Sequence, residues 1–154
     1  METTIIDKPS NIDPTLLEKM KKLVEEGEQV KREYLDYGIE RADLIALIVD
    51  DNDVVAAATL KNPRNSYRDD VFEMAGEEQL KKGYDKELGY IVTNPKFEGK
   101  KKCQKLLTDF IPKIAHKQMF ATTRKPAMAH ILRKYGFEQV GNTYKKDLAL
   151  LITK

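Results

Sequence analysis

Helical and strand-like hydrophobic patterns alternate along this sequence. The first clear pattern places apolar side chains three and four positions apart, at Leu16, Leu17, Met20, Leu23 and Val24. Because a helical turn takes 3.6 residues, this spacing predicts an amphipathic helix over about 14–26 that ends at Gly27. Residues 30–41 predict a second, weaker helix that Gly38 disrupts. The preceding residues 1–12 are polar, and we expect an irregular N-terminus.

The middle of the chain has the pattern of strands. Two apolar runs, 42–50 and 54–60, flank the turn-forming Asp-Asn-Asp at 51–53 and predict a β-hairpin. Segment 66–76 predicts a short helix, because its apolar residues return at helical spacing. Residues 87–95 predict a further strand, which the Asn-Pro pair at its end stops.

The last third of the chain predicts two more helices and three strands. A helix starting after Gly99 has one apolar face, formed by Leu106, Leu107, Phe110, Ile111 and Ile114. Pro112 is expected to bend or shorten this helix near its end. Strand 119–123, helix 126–136 and a pair of strands over 137–154 follow. Together these elements predict an α/β fold with a mixed sheet covered by helices.

Length, charge and cysteine content then narrow the function classes. The chain has 154 residues, and its 27 Lys plus Arg against 25 Asp plus Glu give a net charge of +2. The length predicts a single domain over 1–154, and the charge balance argues against a polycation built for nucleic acid. Cys103 is the one cysteine, which excludes an internal disulfide and a cysteine-based zinc site. We therefore expect no metal centre.

The lengths of the apolar runs and the character of the N-terminal segment indicate where in the cell the protein is expected. No run approaches the roughly 18 residues of a membrane span, and the first residues lack a signal-peptide profile. We expect a cytoplasmic protein without a membrane or nucleic-acid partner, and the sequence leaves a homodimer open. His116 ends a helix and His130 lies among apolar residues, so we interpret both as structural.

The segment with the clearest chemistry is the strand, loop and helix over 87–107. A strand that leads through a short loop into a helix exposes backbone N–H groups and the positive end of the helix dipole, which attract phosphate. Gly99 allows close approach to the backbone. Lys100, Lys101 and Lys102 add positive charge at the same place. The alternative interpretation is that this lysine run is only a solvated basic face.

A second segment, ATTRKPAMAHILRKYGFEQVG, predicts a strand, a helix ending in Tyr-Gly-Phe and a further strand. Taken together, the two segments resemble the GNAT superfamily of acetyl-CoA-dependent N-acetyltransferases, from about Ala42 to the C-terminus. The resemblance implies a GNAT-like single domain, α/β, with a central mixed, mostly antiparallel sheet, splayed parallel strands and about four helices. It also implies direct transfer of an acetyl group from acetyl-CoA to a primary amine of a small molecule or peptide.

The resemblance assigns candidate residues to acetyl-CoA. The pantetheine arm would lie along Ile91–Thr93 like an added strand, the pyrophosphate would rest on the loop Phe97–Cys103, and the N–H near Val92 would polarise the thioester carbonyl. The residues assigned to co-substrate binding are Ile91, Val92, Thr93, Phe97, Gly99, Lys100, Lys101, Lys102, Cys103 and Lys125.

Several positions depart from the family pattern. The pattern of Gln or Arg, two residues, Gly, one residue, then Gly or Ala is replaced here by Glu98, Lys101 and Cys103. Cys103 is interpreted as a small residue standing in for Gly or Ala. The family often has an Asn where Lys125 stands, and a Tyr that protonates the leaving thiolate where Leu132 stands. Without that tyrosine, the thiolate could be protonated by water or by another tyrosine, for which Tyr90 and Tyr144 are candidates.

Glu87 is the candidate general base. It opens the strand that would carry acetyl-CoA, and related enzymes often place a carboxylate near there. The alternative is an exposed glutamate at a strand start beside a lysine-rich turn. The nearby aromatic and apolar cluster could be core, or could form a wall of the acceptor site: Tyr67, Val71, Phe72 and Met74, with Tyr34 and Tyr37 as further wall candidates.

Two rival functions remain beside acetyl transfer. The first is a catalytically silent acyl-CoA-binding or protein-interaction module on the same fold, which Leu132, Lys125 and the altered glycine positions favour. The second is nucleic-acid contact through the lysine-rich segments, against which the near-neutral charge and the lack of interleaved aromatic residues argue.

Overall fold

The computed structural model describes residues 1–28 and 30–153. Seven strands and five α-helices, with three short 3-10 turns, make up this part of the chain. The strands are β1 (Glu2–Asp7), β2 (Leu44–Asp50), β3 (Asp53–Lys61), β4 (Lys86–Thr93), β5 (Met119–Thr123), β6 (Phe137–Tyr144) and β7 (Leu148–Thr153). The helices are α1 (Pro14–Glu28), α2 (Arg32–Glu40), α3 (Asn65–Met74), α4 (Lys102–Ile114) and α5 (Pro126–Lys134).

The strands form a mixed sheet in the order β1-β2-β3-β4-β5-β7-β6. Strands β4 and β5 are parallel, joined at Lys86–Met119 and Glu87–Phe120. The recorded β1–β2, β2–β3, β5–β7 and β6–β7 ladders are antiparallel. The predicted α/β class with a mixed, mostly antiparallel sheet that includes a parallel pair of strands is confirmed.

Contacts divide the chain into two compact units. The first comprises Met1–Lys61 and Gly89–Ile114, and the second comprises Asn62–Leu88 and Ala115–Lys154. Strand β4 contributes its first three residues to the second unit and the remainder to the first. Lys154, the last residue of the predicted closing strands, lies outside the described residues.

The core of the first unit lies where α1 and α2 cover strands β2 and β3. Fully buried side chains such as Met20, Val24 and Leu35 come from the helices, and Ile45 and Leu47 come from the sheet. The hairpin between β2 and β3 turns at Asp51 and Asn52, whose φ angles are 51° and 62°. Two successive positive φ values are typical of the tight hairpin turn expected from the sequence, and the hairpin is confirmed.

The prediction of an irregular N-terminus over 1–12 is wrong. Strand β1 pairs antiparallel with β2 from Glu2–Asp50 to Asp7–Ile45. The segment itself is half exposed, so its hydrophobic pattern is weak. The backbone hydrogen bonds offered by the edge of β2 stabilise the strand, and no local pattern reports such bonds.

The predicted disruption of the second helix at Gly38 is also wrong. Helix α2 runs through Gly38, and a Cβ atom added there would overlap the hydroxyl oxygen of Tyr90. Lys61 also lies over this ring, with Nζ 4.2 Å from the ring centroid. The glycine therefore serves close packing against Tyr90 within an intact helix.

The core of the second unit is aromatic. Phe72 of α3 stacks on Tyr84 with ring centroids 5.8 Å apart and meets Phe120 of β5 edge-on at 5.3 Å. Leu150 and Ile152 of β7 complete this cluster. Of the predicted aromatic and apolar cluster, Val71 and Phe72 are core residues, whereas Tyr67 and Met74 are 42% and 41% exposed.

No helix among the described residues is long and apolar enough to span a membrane. No group of three or more His, Cys, Asp or Glu side chains among them could hold a metal ion.

Candidate functional site

Glu87 is a buried carboxylate in the second unit. It is the second residue of β4, pairs with Phe120 of β5 and is 3% exposed. The alternative interpretation of Glu87 as an exposed strand-start residue is therefore wrong. A buried carboxylate needs polar partners to offset the loss of water.

Tyr67 supplies one such partner from helix α3. Its hydroxyl donates a hydrogen bond to Oε2 of Glu87 at 3.2 Å. As a whole residue Tyr67 is 42% exposed, although its hydroxyl points at a carboxylate that is almost fully buried. The negative charge of Glu87, followed by burial, raises the pKa of Tyr67 well above its usual value of 10. Tyr67 is therefore a neutral hydrogen-bond donor at physiological pH.

Tyr144, at the end of β6, completes what we term the glutamate–tyrosine cluster (Tyr67, Glu87 and Tyr144). It is 8% exposed, and its hydroxyl has no hydrogen-bond partner among the residues that the structure describes. Burial, and next the charge of Glu87, raise the pKa of Tyr144 to about 12. A buried hydroxyl without a partner costs about 1–3 kcal/mol, so the cluster has hydrogen-bonding capacity that a ligand could satisfy.

Two adjacent residues of α3 hold the start of β4. Arg68, which is 8% exposed, pairs with Asp85 and also bonds Asp69 through Nε at 2.9 Å. Tyr67 bonds Glu87, two residues beyond Asp85. Because alternate residues of an extended chain point the same way, Asp85 and Glu87 can both face α3. The Arg68–Asp85 pair thus fixes the helix position that brings the Tyr67 hydroxyl to Glu87.

A bulge in β6 fixes the other end of α3. The N–H of Asn142 donates to the carbonyl oxygen of Ala75 at 2.9 Å, and Gly141 has a φ of 68°. A Cβ atom added at Gly141 would overlap that same carbonyl oxygen. The register of β6 shifts between Val140 and Tyr144, so the bulge also sets the position at which Tyr144 pairs with β7.

The loop before α4 belongs to the first unit. Asn94, which is 7% exposed, anchors its start: the backbone N–H bonds the oxygen of Val55 at 2.8 Å and the side-chain amide bonds the oxygen of Val54 at 3.0 Å. The Asn94 side-chain oxygen in turn accepts from the N–H of Lys96 at 3.1 Å. These bonds give the exposed loop a fixed starting point.

The segment Phe97–Lys102, here called the lysine loop, turns sharply into helix α4. Gly99 and Lys101 have φ angles of 79° and 56°, and a Cβ atom added at Gly99 would meet nothing within 4 Å. Open space beside the glycine, left-handed backbone and the N-terminus of a 13-residue helix together suit an anion. Sequence reasoning identified this loop from its glycine and lysines.

The lysines of this loop differ in what they contact. Lys100 and Lys101 are exposed, and Nζ of Lys100 lies 5.8 Å from the Phe97 ring centroid. Lys102 instead pairs with Glu2 of β1, which Lys105 also contacts at 2.8 Å. Hydrogen bonds from Lys102 and Lys105 lower the pKa of Glu2 to about 2.

The remaining predicted site residues lie in both units. In the first unit, Tyr90 has a φ of 50° within β4, a strand irregularity immediately before Ile91, Val92 and Thr93. Val92 is 8% exposed, and Ile91, Thr93 and Cys103 are partly buried. In the second unit, Lys125 is exposed before α5, where its N–H bonds the Thr123 side chain at 3.1 Å, and Leu132 is fully buried.

The sequence did not reveal the structural roles of three residues. Asn94 anchors the lysine loop, Arg68 positions α3, and Gly38 accommodates Tyr90. The Asn-Pro pair marked only a strand end, and Arg68 was hidden among the charged residues of its helix. No local signal reports the packing partner of a mid-helix glycine.

Comparisons with known proteins give structural matches only. No family model matches the chain, and neither does any curated protein. The structure of ElaA from Escherichia coli matches with a TM-score of 0.75 at 13% identity, covering 100% of both chains. An acyl-CoA N-acyltransferase from Pseudomonas aeruginosa gives 0.74 at 13% identity, also covering 100% of both chains.

A third matching structure contains a bound ligand. It is a GNAT family acetyltransferase from Elizabethkingia anophelis with acetyl-CoA bound, with a TM-score of 0.65 and 16% identity over 99% of this chain and 97% of that one. The chain therefore has the fold of the GNAT acetyltransferases, which confirms the resemblance drawn from the sequence at the level of fold.

Proposed function

We propose that this protein is an N-acetyltransferase that moves an acetyl group from acetyl-CoA directly to a primary amine of a small molecule or peptide. The observation that carries the proposal is the buried Glu87 carboxylate on β4, hydrogen-bonded by Tyr67, in a chain with this fold. We further propose that residues 1–154 act as one domain, since the solved neighbours match the chain over 97–100% of its length. The proposed location is the cytoplasm.

The lysine loop supports acetyl-CoA as co-substrate. Phosphate oxygens require N–H donors and positive charge, which the open space at Gly99, the first turn of α4 and the exposed Lys100 and Lys101 provide. When bound, acetyl-CoA supplies an acetyl group activated as a thioester. In this proposal the loop Phe97–Cys103 holds the pyrophosphate, Ile91–Thr93 flank the pantetheine arm and the Val92 N–H polarises the carbonyl.

Glu87 acts as general base in this proposal. An amine is protonated at neutral pH and attacks only after it has lost a proton, so a carboxylate within reach accelerates the reaction. The two tyrosines beside Glu87 are neutral, because the charge of Glu87 and burial raise the pKa of both hydroxyls. No acyl-enzyme is required, because the amine attacks the thioester directly.

A catalytically silent acyl-CoA-binding or protein-interaction module is the second candidate function. Two observations favour it: Leu132 is fully buried where the family often has its acid tyrosine, and Lys101 and Cys103 replace glycine positions. Tyr144 remains a candidate acid, since its hydroxyl is neutral and has no partner among the described residues.

A titration followed by a turnover assay separates these functions. Acetyl-CoA binding is measured by calorimetry, and release of free CoA thiol is then followed over a panel of primary amines, with Glu87→Gln as the comparison. The enzyme proposal expects binding by both proteins and a turnover at least about 100-fold lower in the variant. Binding without turnover on any amine would favour the silent acyl-CoA-binding module. No binding at millimolar acetyl-CoA would overturn both the enzyme and the acyl-CoA-binding module and favour the protein-interaction module.

A further inference from the structure

The members of the glutamate–tyrosine cluster differ in their access to solvent. Glu87 and Tyr144 are 3% and 8% exposed, whereas Tyr67 is 42% exposed. Tyr67 also contacts the carboxylate directly, through the 3.2 Å hydrogen bond to Oε2. Part of the Tyr67 side chain therefore lies at the surface, while its hydroxyl lies against the buried carboxylate and has its pKa raised by burial.

We propose that Tyr67 is a catalytic proton carrier between the acceptor amine and Glu87. This inference rests on the proposed acetyl transfer and adds a residue to it. A tyrosine hydroxyl is both a donor and an acceptor of hydrogen bonds. Its oxygen can thus accept a proton from the ammonium group while its own proton passes to Oε2 of Glu87.

The proton transfers balance as follows. One N–H bond of the ammonium breaks and an O–H bond forms on Tyr67, while the original Tyr67 O–H bond breaks and one forms on Glu87. The neutral amine then forms the C–N bond to the acetyl carbonyl, and the C–S bond breaks. The second surplus proton of the nitrogen goes to the sulfur, giving free CoA thiol. Glu87 returns its proton to solvent through Tyr67.

The surroundings of Tyr67 keep it in its neutral, hydrogen-bonded form. The charge of Glu87, then burial and Tyr144 of β6, raise the pKa of Tyr67, against a smaller lowering effect of the hydrogen bond with Thr122 of β5. Arg124, which follows β5, acts on Tyr144 and lowers that hydroxyl's pKa against the stronger effect of burial. A proton carrier must return to its starting state after each transfer. Because the pKa of Tyr67 is well above physiological pH, its hydroxyl returns to the neutral form.

The position of Tyr67 is built by contacts beyond the cluster itself. The buried Arg68 joins Asp85, and the carbonyl of Ala75 at the end of α3 accepts from Asn142 at 2.9 Å. Both ends of the helix are thereby attached to the segments that carry Glu87 and Tyr144. This attachment supports a fixed geometry between Tyr67 and Glu87.

The kinetic test compares Tyr67→Phe with a matched loss of a hydroxyl elsewhere. Tyr84 lies in the same unit, and its hydroxyl donates one hydrogen bond of 2.8 Å to the oxygen of Thr153. We expect Tyr67→Phe to lower kcat about 100-fold at neutral pH, with the KM for acetyl-CoA unchanged, and Tyr84→Phe to keep the wild-type kcat. The double variant Tyr67→Phe with Glu87→Gln should lose no more than Glu87→Gln alone, since both act on one proton path.

A ligand-free measurement tests the contact itself. The ¹³Cζ resonance of Tyr67 is followed with pH in the wild type and in Glu87→Gln. Because the charge of Glu87 raises the pKa of Tyr67, Tyr67 should ionise at a clearly lower pH in the variant. Thermal melts of each variant establish that it is folded, and the assay temperature is set below the lowest melt.

The outcomes separate this inference from the proposed function. Wild-type kcat in Tyr67→Phe, together with a large loss in Glu87→Gln, would overturn the proton carrier and leave acetyl transfer intact. An unshifted Tyr67 titration in Glu87→Gln would also overturn it. A wild-type protein that acetylates no amine overturns the proposed function and the carrier with it.

Discussion

The lysine loop and the glutamate–tyrosine cluster differ in how they are assembled. The lysine loop is one continuous segment, Phe97–Lys102, largely exposed, and its chemistry comes from backbone and neighbouring lysines. The cluster takes one residue each from α3, β4 and β6, and two of the three are buried. An anion site can be built locally because helix ends expose N–H groups, whereas a protected carboxylate requires several elements to surround it.

The largest expected effect comes from adding a methyl group at two glycines, one near each region, that have left-handed backbone. Gly141 and Gly99 have φ angles of 68° and 79°. Both alanine variants incur backbone strain of about 1–2 kcal/mol, but only the Cβ at Gly141 would overlap the carbonyl of Ala75. We expect Gly141→Ala to lower the free energy of unfolding by about 3 kcal/mol or more, and Gly99→Ala by about 1 kcal/mol.

Urea denaturation of both glycine variants measures this difference. Equal losses would contradict the close contact between α3 and the β6 bulge. A larger loss at Gly99 would contradict the open space in the lysine loop.

The next effect concerns the strand that precedes the lysine loop. Gly38→Ala would place a methyl group against the Tyr90 hydroxyl, and we expect a loss of about 2 kcal/mol in unfolding free energy. Gly27 is the matched control, because a Cβ there lies an ordinary 3.5 Å from Val92. Gly27→Ala should be neutral or slightly stabilising by about 0.5 kcal/mol through helix propensity.

Restoring space by a second substitution tests the cause of that loss. Tyr90→Phe in the Gly38→Ala background removes the hydroxyl oxygen and should recover part of the stability. The ring carbons at 3.3 and 3.4 Å remain close, so recovery is incomplete. A double variant no more stable than Gly38→Ala would show that the hydroxyl is not the obstacle.

A smaller effect is expected on ligand affinity. Changing Lys100 and Lys101 to Glu should weaken acetyl-CoA binding about tenfold or more, since a charge-assisted contact to phosphate contributes about 1.5–3 kcal/mol. The control is the same change at Lys81 and Lys82, two adjacent lysines in the 3-10 turn Glu78–Gly83. Calorimetric titration decides: equal affinities in both double variants would assign the loop lysines to a solvated basic face.

The smallest expected effect is the contribution of Glu2 to the pH dependence of folding stability. Lys102 and Lys105 lower its pKa from 4.5 to about 2, so its ionised form favours the folded state. That contribution is complete above pH 4.5 and disappears as the pH falls toward 2. Glu2→Gln should therefore lower the melting temperature slightly at neutral pH and not at pH 2. A difference that is constant between these pH values would contradict the ion pairs as its cause.

Predictions from the sequence were correct where a structural feature depends on a few neighbouring residues. The hairpin turn at Asp51 and Asn52, the strand ending before Pro95 and the turn at Gly99 follow from backbone preferences that operate locally. Such predictions failed at β1, whose hydrogen bonds come from a strand more than 35 residues away. They also failed at Gly38, which leaves space for the side chain of Tyr90 on β4. Glu87 could be named as a candidate, but its burial could not be derived.

By itself, then, the sequence determined the α/β class, most helices and strands, and the lysine loop, because periodicity and turn chemistry depend on adjacent residues. The tertiary structure decided that Glu87 is buried, that Tyr67 is its hydrogen-bond donor and that Lys102 is paired with Glu2. Each of these depends on which side chains from distant segments exclude water from a given atom. Only the packed chain specifies that.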